Sequence, residues 1–237
     1  LELPSFDFAS VKASAASEEY TDTAYGLKFT GEGIITGYTS ELKVDSQGRF
    51  EIPGKLNTGT NDIAITGIGN AAFMNCSRIV ELTLPKTIKT MGIKAFQNCS
   101  KLSVVNFNCG SVDINTNYHP VLLDDDSPFL NCNSLQKFIF GENIARIPDY
   151  ACCSISSLNE VVFKGEVNEI GFAAFYSCVG LKRVDLSNVK NRKELTYNQN
   201  NYKNNKNIKM VGFELCYESD KGESVLYNNP YYKKITN

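Results

Sequence analysis

The sequence has no tryptophan and a single histidine, His119, among 237 residues. One imidazole leaves little material for general acid–base chemistry and none for a cluster of histidine metal ligands. Charge of either sign is not in excess: 24 basic side chains face 26 acidic ones, for a net charge of −2. That balance excludes a nucleic-acid binder held by bulk electrostatics. Apolar runs stay well short of the ~20 residues that a transmembrane helix requires, so no transmembrane segment is expected. Serine-elbow and cysteine-nucleophile motifs are missing, as are paired C-x-x-C ligands, so catalytic residues, resident metals and cofactors are all expected to be none. What is present is a 42% apolar fraction, enough for a continuous core.

That apolar content is periodic. The segments AAFMNCSRI, KAFQNCSKL, SPFLNCNSL, YACCSISSL and AAFYSCVGL share one frame, anchored on Phe73, Phe96, Phe129, Cys152 and Phe175 at steps of 23, 33, 23 and 23 residues. Six residues after each anchor stands Ile79, Leu102, Leu135, Leu158 or Leu181, opening an L-x-x-[VLF]-x-[LF] run whose alternation predicts a half-buried strand. A second short extended piece is predicted before the anchor at Ile65/Ile68, Ile88/Met91, Ile144/Ile147 and Val167/Ile170. Between the two, Gly69, Gly92 and Gly171, with Pro148 once, open a bend. Ala72, Ala95, Pro128, Ala151 and Ala174 precede the anchors, as close approach of coils demands. A degenerate sixth copy is read from Ile208 through Gly212, Phe213 and Cys216.

A 23-residue unit cannot bury an apolar face alone, so successive units must stack and share a core. The expected fold is α/β: a right-handed solenoid of about five to six repeats, with parallel strands and short helical turns. Residues 1–29 are read as an N-terminal spacer and 30–60 as capping strands. Residues 61–216 form the array, with insertions near 113–123 and 191–207, and 217–237 a C-terminal cap or tail. LKFTGEGIITGY and RFEIPGKL are the strand signals of the lead-in.

The pattern L-x-x-[IV]-x-[LF] followed by I-x-x-I-G-x-x-A-F-x-x-C, at a 23-residue step, resembles the BspA-like leucine-rich repeat family of bacterial and protozoan surface proteins. The likeness spans about residues 30–186 well and the rest loosely. It departs at the insertion and in YACCSI, which lacks the aromatic anchor. The resemblance implies a cell-surface or secreted protein that binds protein or glycan ligands on a host or neighbouring cell. The start at Leu1, with neither methionine nor apolar leader, fits a removed export signal or a trimmed chain.

Eight cysteines in such a chain invite a disulfide framework. However, Cys76, Cys99, Cys132, Cys178 and Cys216 fall in one repeat column, where the fourth copy carries Ile155. A position that accepts isoleucine is an apolar packing site, so these thiols read as small buried hydrophobes; stacking also brings neighbours within disulfide range. Cys109, Cys152 and Cys153 stand off the column. Gly67, Gly69 and Ala72 mimic a dinucleotide-binding turn, but the same bend recurs as MGIKAF and IGFAAF without the second glycine. Asp124, Asp125 and Asp126 have calcium-type oxygens without EF-hand spacing, and read as a solvated loop, as does His119. Asn75-Cys76-Ser77 and Asn98-Cys99-Ser100 match the glycan acceptor pattern, but occupy the turn of each copy, where asparagine is favoured for backbone reasons. The second insertion, asparagine-rich with Tyr197 and Tyr202, reads as a loop or a sugar contact; Tyr227, Tyr231 and Tyr232 are assigned to closing the last coil.

Stacking the strands in register writes columns on the exposed sheet face: Glu81, Val104, Lys137, Glu160, Arg183; then Thr83, Asn106, Ile139, Val162, Asp185; then Pro85, Asn108, Gly141, Lys164, Ser187. Lys137, Glu160 and Arg183 alternate in sign, each cross-strand pair contributing about 0.2–1 kcal/mol. Ile139 and Val162 are expected side by side and exposed within that charged frame, the usual anatomy of a protein contact. Lys137, Ile139, Glu160, Val162, Lys164, Arg183 and Asp185 are therefore the candidate partner-binding residues. The expected function is a non-enzymatic recognition module, monomeric, with a macromolecular partner and no nucleic acid. A carbohydrate-binding module using the asparagine and tyrosine loops, or a structural spacer, are the alternatives.

Overall fold

The computed structural model describes residues 18–110, 112–114 and 127–167, with shorter pieces of backbone from there to residue 216. Each copy contributes a four-residue strand whose alternate residues are apolar and turned inward, giving Glu81–Leu84, Val104–Phe107, Lys137–Phe140 and Glu160–Phe163 the same half-buried, buried alternation. These strands pair in parallel, each residue opposite its equivalent in the next copy, and continue through Arg183–Asp185 to Lys209–Val211. With Arg49–Glu51 at one edge and Leu215–Cys216 at the other, they form an eight-stranded front sheet.

The second extended piece of each copy builds the back. Gly67–Ile68, Thr90–Met91 and Asp113–Ile114 join three antiparallel strands of the lead-in, Glu19–Asp22, Leu27–Thr30 and Ile34–Tyr38, in a six-stranded sheet. Arg146–Ile147, Glu169–Ile170 and Thr196–Tyr197 form a separate three-stranded one, which corrects the reading of Tyr197 as a loop residue: its backbone pairs with Ile170. Ile114 pairs with Met91 in the usual 23-residue register, so the ten extra residues of the third copy fall between Ile114 and Phe129; the back strands before and after them belong to different sheets, while the front sheet is continuous.

Between back and front the chain turns tightly, and here the expectation of short helical turns is corrected: no helix occurs among the described residues. The physical reason lies in where the amides point. Ala71, Phe73 and Asn75 donate their N–H groups to the carbonyls of Ile93, Ala95 and Gln97 in the next copy, at 3.0, 2.7 and 2.8 Å. Phe96 and Asn98 do the same to Pro128 and Leu130. A helix would use those donors internally. Positive φ values two residues before and after the anchor, at Ala71, Lys94 and Tyr150 and at Asn75, Asn98, Asn131 and Ser154, aim alternate amides along the stack. The turn arc is thus a third ladder between copies.

The anchors line up inside. Phe73 and Phe96 stack at 5.0 Å and Phe96 and Phe129 at 5.2 Å, with Tyr38 of the lead-in stacked on Phe73 at 5.9 Å. All four phenylalanine anchors are fully buried. Cys152 interrupts the row, and the larger strand residues Phe140 and Phe163 reach Phe175 there at 6.3 and 6.4 Å.

Two further corrections follow. The spacer boundary at residue 29 falls inside Leu27–Thr30, a strand whose Leu27 and Phe29 are fully buried; the capping unit starts by Glu19, because its apolar residues cover the open end of the row. The sixth copy's frame also changes. Lys209–Val211 takes the place of a front strand and Leu215–Cys216 folds back antiparallel on it, so Cys216 lies in an extended edge strand and not in the cysteine column's turn.

Candidate functional site

The front face has the columns that the spacing predicts. Val104 pairs with Glu81 and Lys137, Lys137 with Glu160, and Glu160 with Arg183. Ile139 lies between Asn106 and Val162, and Val162 pairs with Asp185. Lys164, exposed, extends the third column by donating its N–H to the Phe140 carbonyl at 3.0 Å. The side chains of Arg183 and Asp185 fall outside the described residues.

Lys137 Nζ and Glu160 Oε2 form an ion pair of 3.1 Å across neighbouring strands. Ile139 and Val162 are half-buried, not fully exposed as expected. Strands on both sides flank them, so each side chain is covered laterally while its outer surface stays open. Toward the amino end the face turns polar: Asn106 Nδ2 donates to Glu81 Oε1 at 2.7 Å and lies 3.3 Å from Thr83 Oγ1. Arg49 and Glu51 also belong to the two columns, opposite Glu81 and Thr83. Sequence reasoning missed them, because RFE signals a strand but carries no repeat phase to place it on this sheet.

The cysteines behave as packing residues and as something more. Cys76, Cys99, Cys132 and Cys178 are buried, with Ile155 in the same position, and none of the seven described cysteines is in a disulfide. Cys99 Sγ donates to the Phe73 carbonyl at 3.2 Å, Cys132 Sγ to Phe96 at 3.0 Å, and Cys178 Sγ to Cys152 at 2.8 Å. Each thiol thus ties the turn of one copy to the anchor of the preceding copy. A hydrogen bond with Cys132, together with burial, pushes the Cys99 thiol well up; burial raises Cys152 and Cys178 and pushes Cys109 up to about 12. Burial of this kind disfavours the thiolate, the reactive form.

Other candidates resolve as structural. Gly69 donates its N–H to Ile35 at 2.7 Å, and a Cβ there would press on that carbonyl at 3.0 Å. Its glycine therefore serves close approach of coils, with no amide left to cradle a phosphate. Asn75 and Asn98 hold the left-handed turn positions, φ 62° and 59°, and Asn98 Nδ2 donates to Asn75 Oδ1 at 3.0 Å. Asp124–Asp126, His119, Tyr202, Tyr227, Tyr231 and Tyr232 lie outside the described residues. Among the described residues no group of His, Cys, Asp or Glu could hold a metal ion, and no helix is long and apolar enough to cross a membrane.

The family model of the BspA type leucine-rich repeat region matches residues 48–119 and 125–229 in six copies. The chain belongs to that family. Solved structures with similarity include a leucine-rich repeat protein of T. pallidum, at 23% identity over 78% of this chain and 79% of that one, TM-score 0.47. A leucine-rich cell surface protein of Faecalibacterium prausnitzii is 20% identical over 73% of this chain and 55% of its own, TM-score 0.36. The pneumococcal vaccine antigen PcpA is 15% identical over 81% and 49%, TM-score 0.49. No curated protein matches the chain.

Proposed function

We propose that this chain is a non-enzymatic recognition module, wound as a right-handed solenoid and acting as a monomer at the cell surface or as a secreted protein. Its working surface is the carboxy-terminal half of the front face, and its ligand is a protein. The single observation that supports this reading is the adjacency of Ile139 and Val162, half-buried in register and bordered by the Lys137–Glu160 ion pair. A patch with an apolar centre and a charged rim loses little on desolvation while its edge selects orientation. Membership of the BspA-type repeat family, whose members are often surface proteins, supports the location.

The test is selection of protein ligands from a displayed library against the whole chain, followed by Ile139→Asp combined with Val162→Asp. The double variant is expected to lower affinity at least ~100-fold, as loss of a central anchor does, with cooperative thermal unfolding retained. Ligands that bind the variant unchanged would remove this face from consideration.

A further inference from the structure

At the amino end of the array, apart from Ile139 and Val162, the lead-in carries an open groove of about 840 Å³. It lies between the turn after Glu19–Asp22, the loop at Lys43 and Asp45, the edge strand Arg49–Glu51 and the hairpin of Lys55–Asn57 with Asp62–Ala64. We infer that this groove binds a neutral saccharide, which stacks on the exposed ring of Tyr25 and is hydrogen-bonded by ion-paired side chains of both signs around it.

The walls are set before any ligand arrives. Asp22, only 6% exposed, accepts the Ala24 and Tyr25 N–H groups on Oδ1 at 2.8 and 3.0 Å and the Asn57 N–H on Oδ2 at 2.9 Å. One carboxylate therefore ties the Tyr25 turn to the hairpin across the groove. The Tyr25 carbonyl in turn accepts the Lys43 N–H at 3.0 Å. A site held this way spends less binding energy on ordering itself.

The charges around it nearly cancel, with Asp22 leaving one negative charge in excess that three backbone N–H groups share. Arg49 Nε pairs with Asp45 Oδ2 at 2.7 Å and Lys55 Nζ with Asp62 Oδ2 at 2.6 Å, while Lys43 and Glu51 add one charge of each sign. An anionic ligand meets no net attraction there. Hydroxyl groups, which both donate and accept, match a wall that offers ionised donors beside ionised acceptors, and such hydrogen bonds are the strong ones. Tyr25, 39% exposed, is one of two large apolar side chains left open among the described residues. An amphipathic ring of this kind suits the C–H face of a sugar. The volume falls in the range of small-ligand sites, about 300–1,000 Å³, which fits a short oligosaccharide.

The test uses the full chain on an array of neutral and anionic oligosaccharides, with calorimetric titration of any glycan retained. Expected is a neutral glycan whose affinity hardly changes as salt is raised to ~0.3 M, since an uncharged ligand has no charge for salt to screen. Tyr25→Ala should weaken it at least ~10-fold, Tyr25→Phe should stay within about twofold, and thermal unfolding of both should match the parent. Ile139→Asp with Val162→Asp should leave it unaltered, which separates this site from the front face. The inference is overturned if no neutral glycan binds, if binding ignores Tyr25→Ala, or if only anionic glycans bind and salt abolishes it.

Discussion

At the scale of single residues, the cysteine column shows how one side chain does two jobs. Valine or isoleucine would fill the site, as Ile155 does, but only a thiol can also donate to the preceding anchor's carbonyl. Cys132→Val should therefore lower the free energy of unfolding by about 1 kcal/mol with the core otherwise intact, measured by urea denaturation. Cys109 supplies a pH signature. In the unfolded chain a thiol ionises near its ordinary value of 9, whereas in the folded chain burial pushes Cys109 up to about 12. Above pH 9 the unfolded chain has released a proton that the folded chain still holds, so stability falls as pH rises; the share due to Cys109 levels off past about 12, and Cys99, Cys152 and Cys178 add to the decline. A stability curve measured from pH 8 upward should show that decline, and a flat curve would contradict the burial. Spacing alone identified the column as apolar; the donor role needed the distances.

At the scale of elements, the ladders between copies decide which backbone substitutions matter. Gly33 has φ +80°, and its carbonyl accepts from both Thr66 and Gly67, so it ties the lead-in to the first back strand. A Cβ there would be driven into the Ala64 carbonyl. Gly33→Ala should cost about 1–3 kcal/mol from the backbone conformation alone, with the clash in addition, read as a lowered unfolding midpoint. Phe96 is stacked on both sides, by Phe73 and Phe129; Phe96→Ala should cost about 3–5 kcal/mol and Phe96→Leu distinctly less. The front strands of the five copies and four of the six back pieces were legible, because an apolar pattern repeated at a fixed step states its own register; Asp113–Ile114 and Thr196–Tyr197 lie in segments read as insertions. The turn arc was not: Ala-Ala-Phe and Lys-Ala-Phe are good helix formers locally, and what prevents a helix is a carbonyl partner 22 or 32 residues away, invisible to local propensity.

For the whole molecule, copies that touch mainly their neighbours have stability that accumulates toward the middle of the array. Hydrogen exchange should be slowest at the amides of Val105, Phe107 and Phe138, flanked by paired strands on both sides, and faster at the edge strands Arg49–Glu51 and Glu19–Asp22. Uniform protection across the front sheet would argue for a single cooperative globule.

The amino-acid sequence by itself determined the repeat, the register of the front strands and the apolar column of cysteines, because each depends only on side-chain type recurring at a constant interval. Tertiary structure decided the rest. That Glu19–Thr30 is a cap and not a spacer, that Arg49 and Glu51 extend the front columns, and that Ile139 and Val162 are only half open all depend on neighbours distant in the chain. So does the groove beneath Tyr25, since one buried aspartate assembles it from segments more than thirty residues apart.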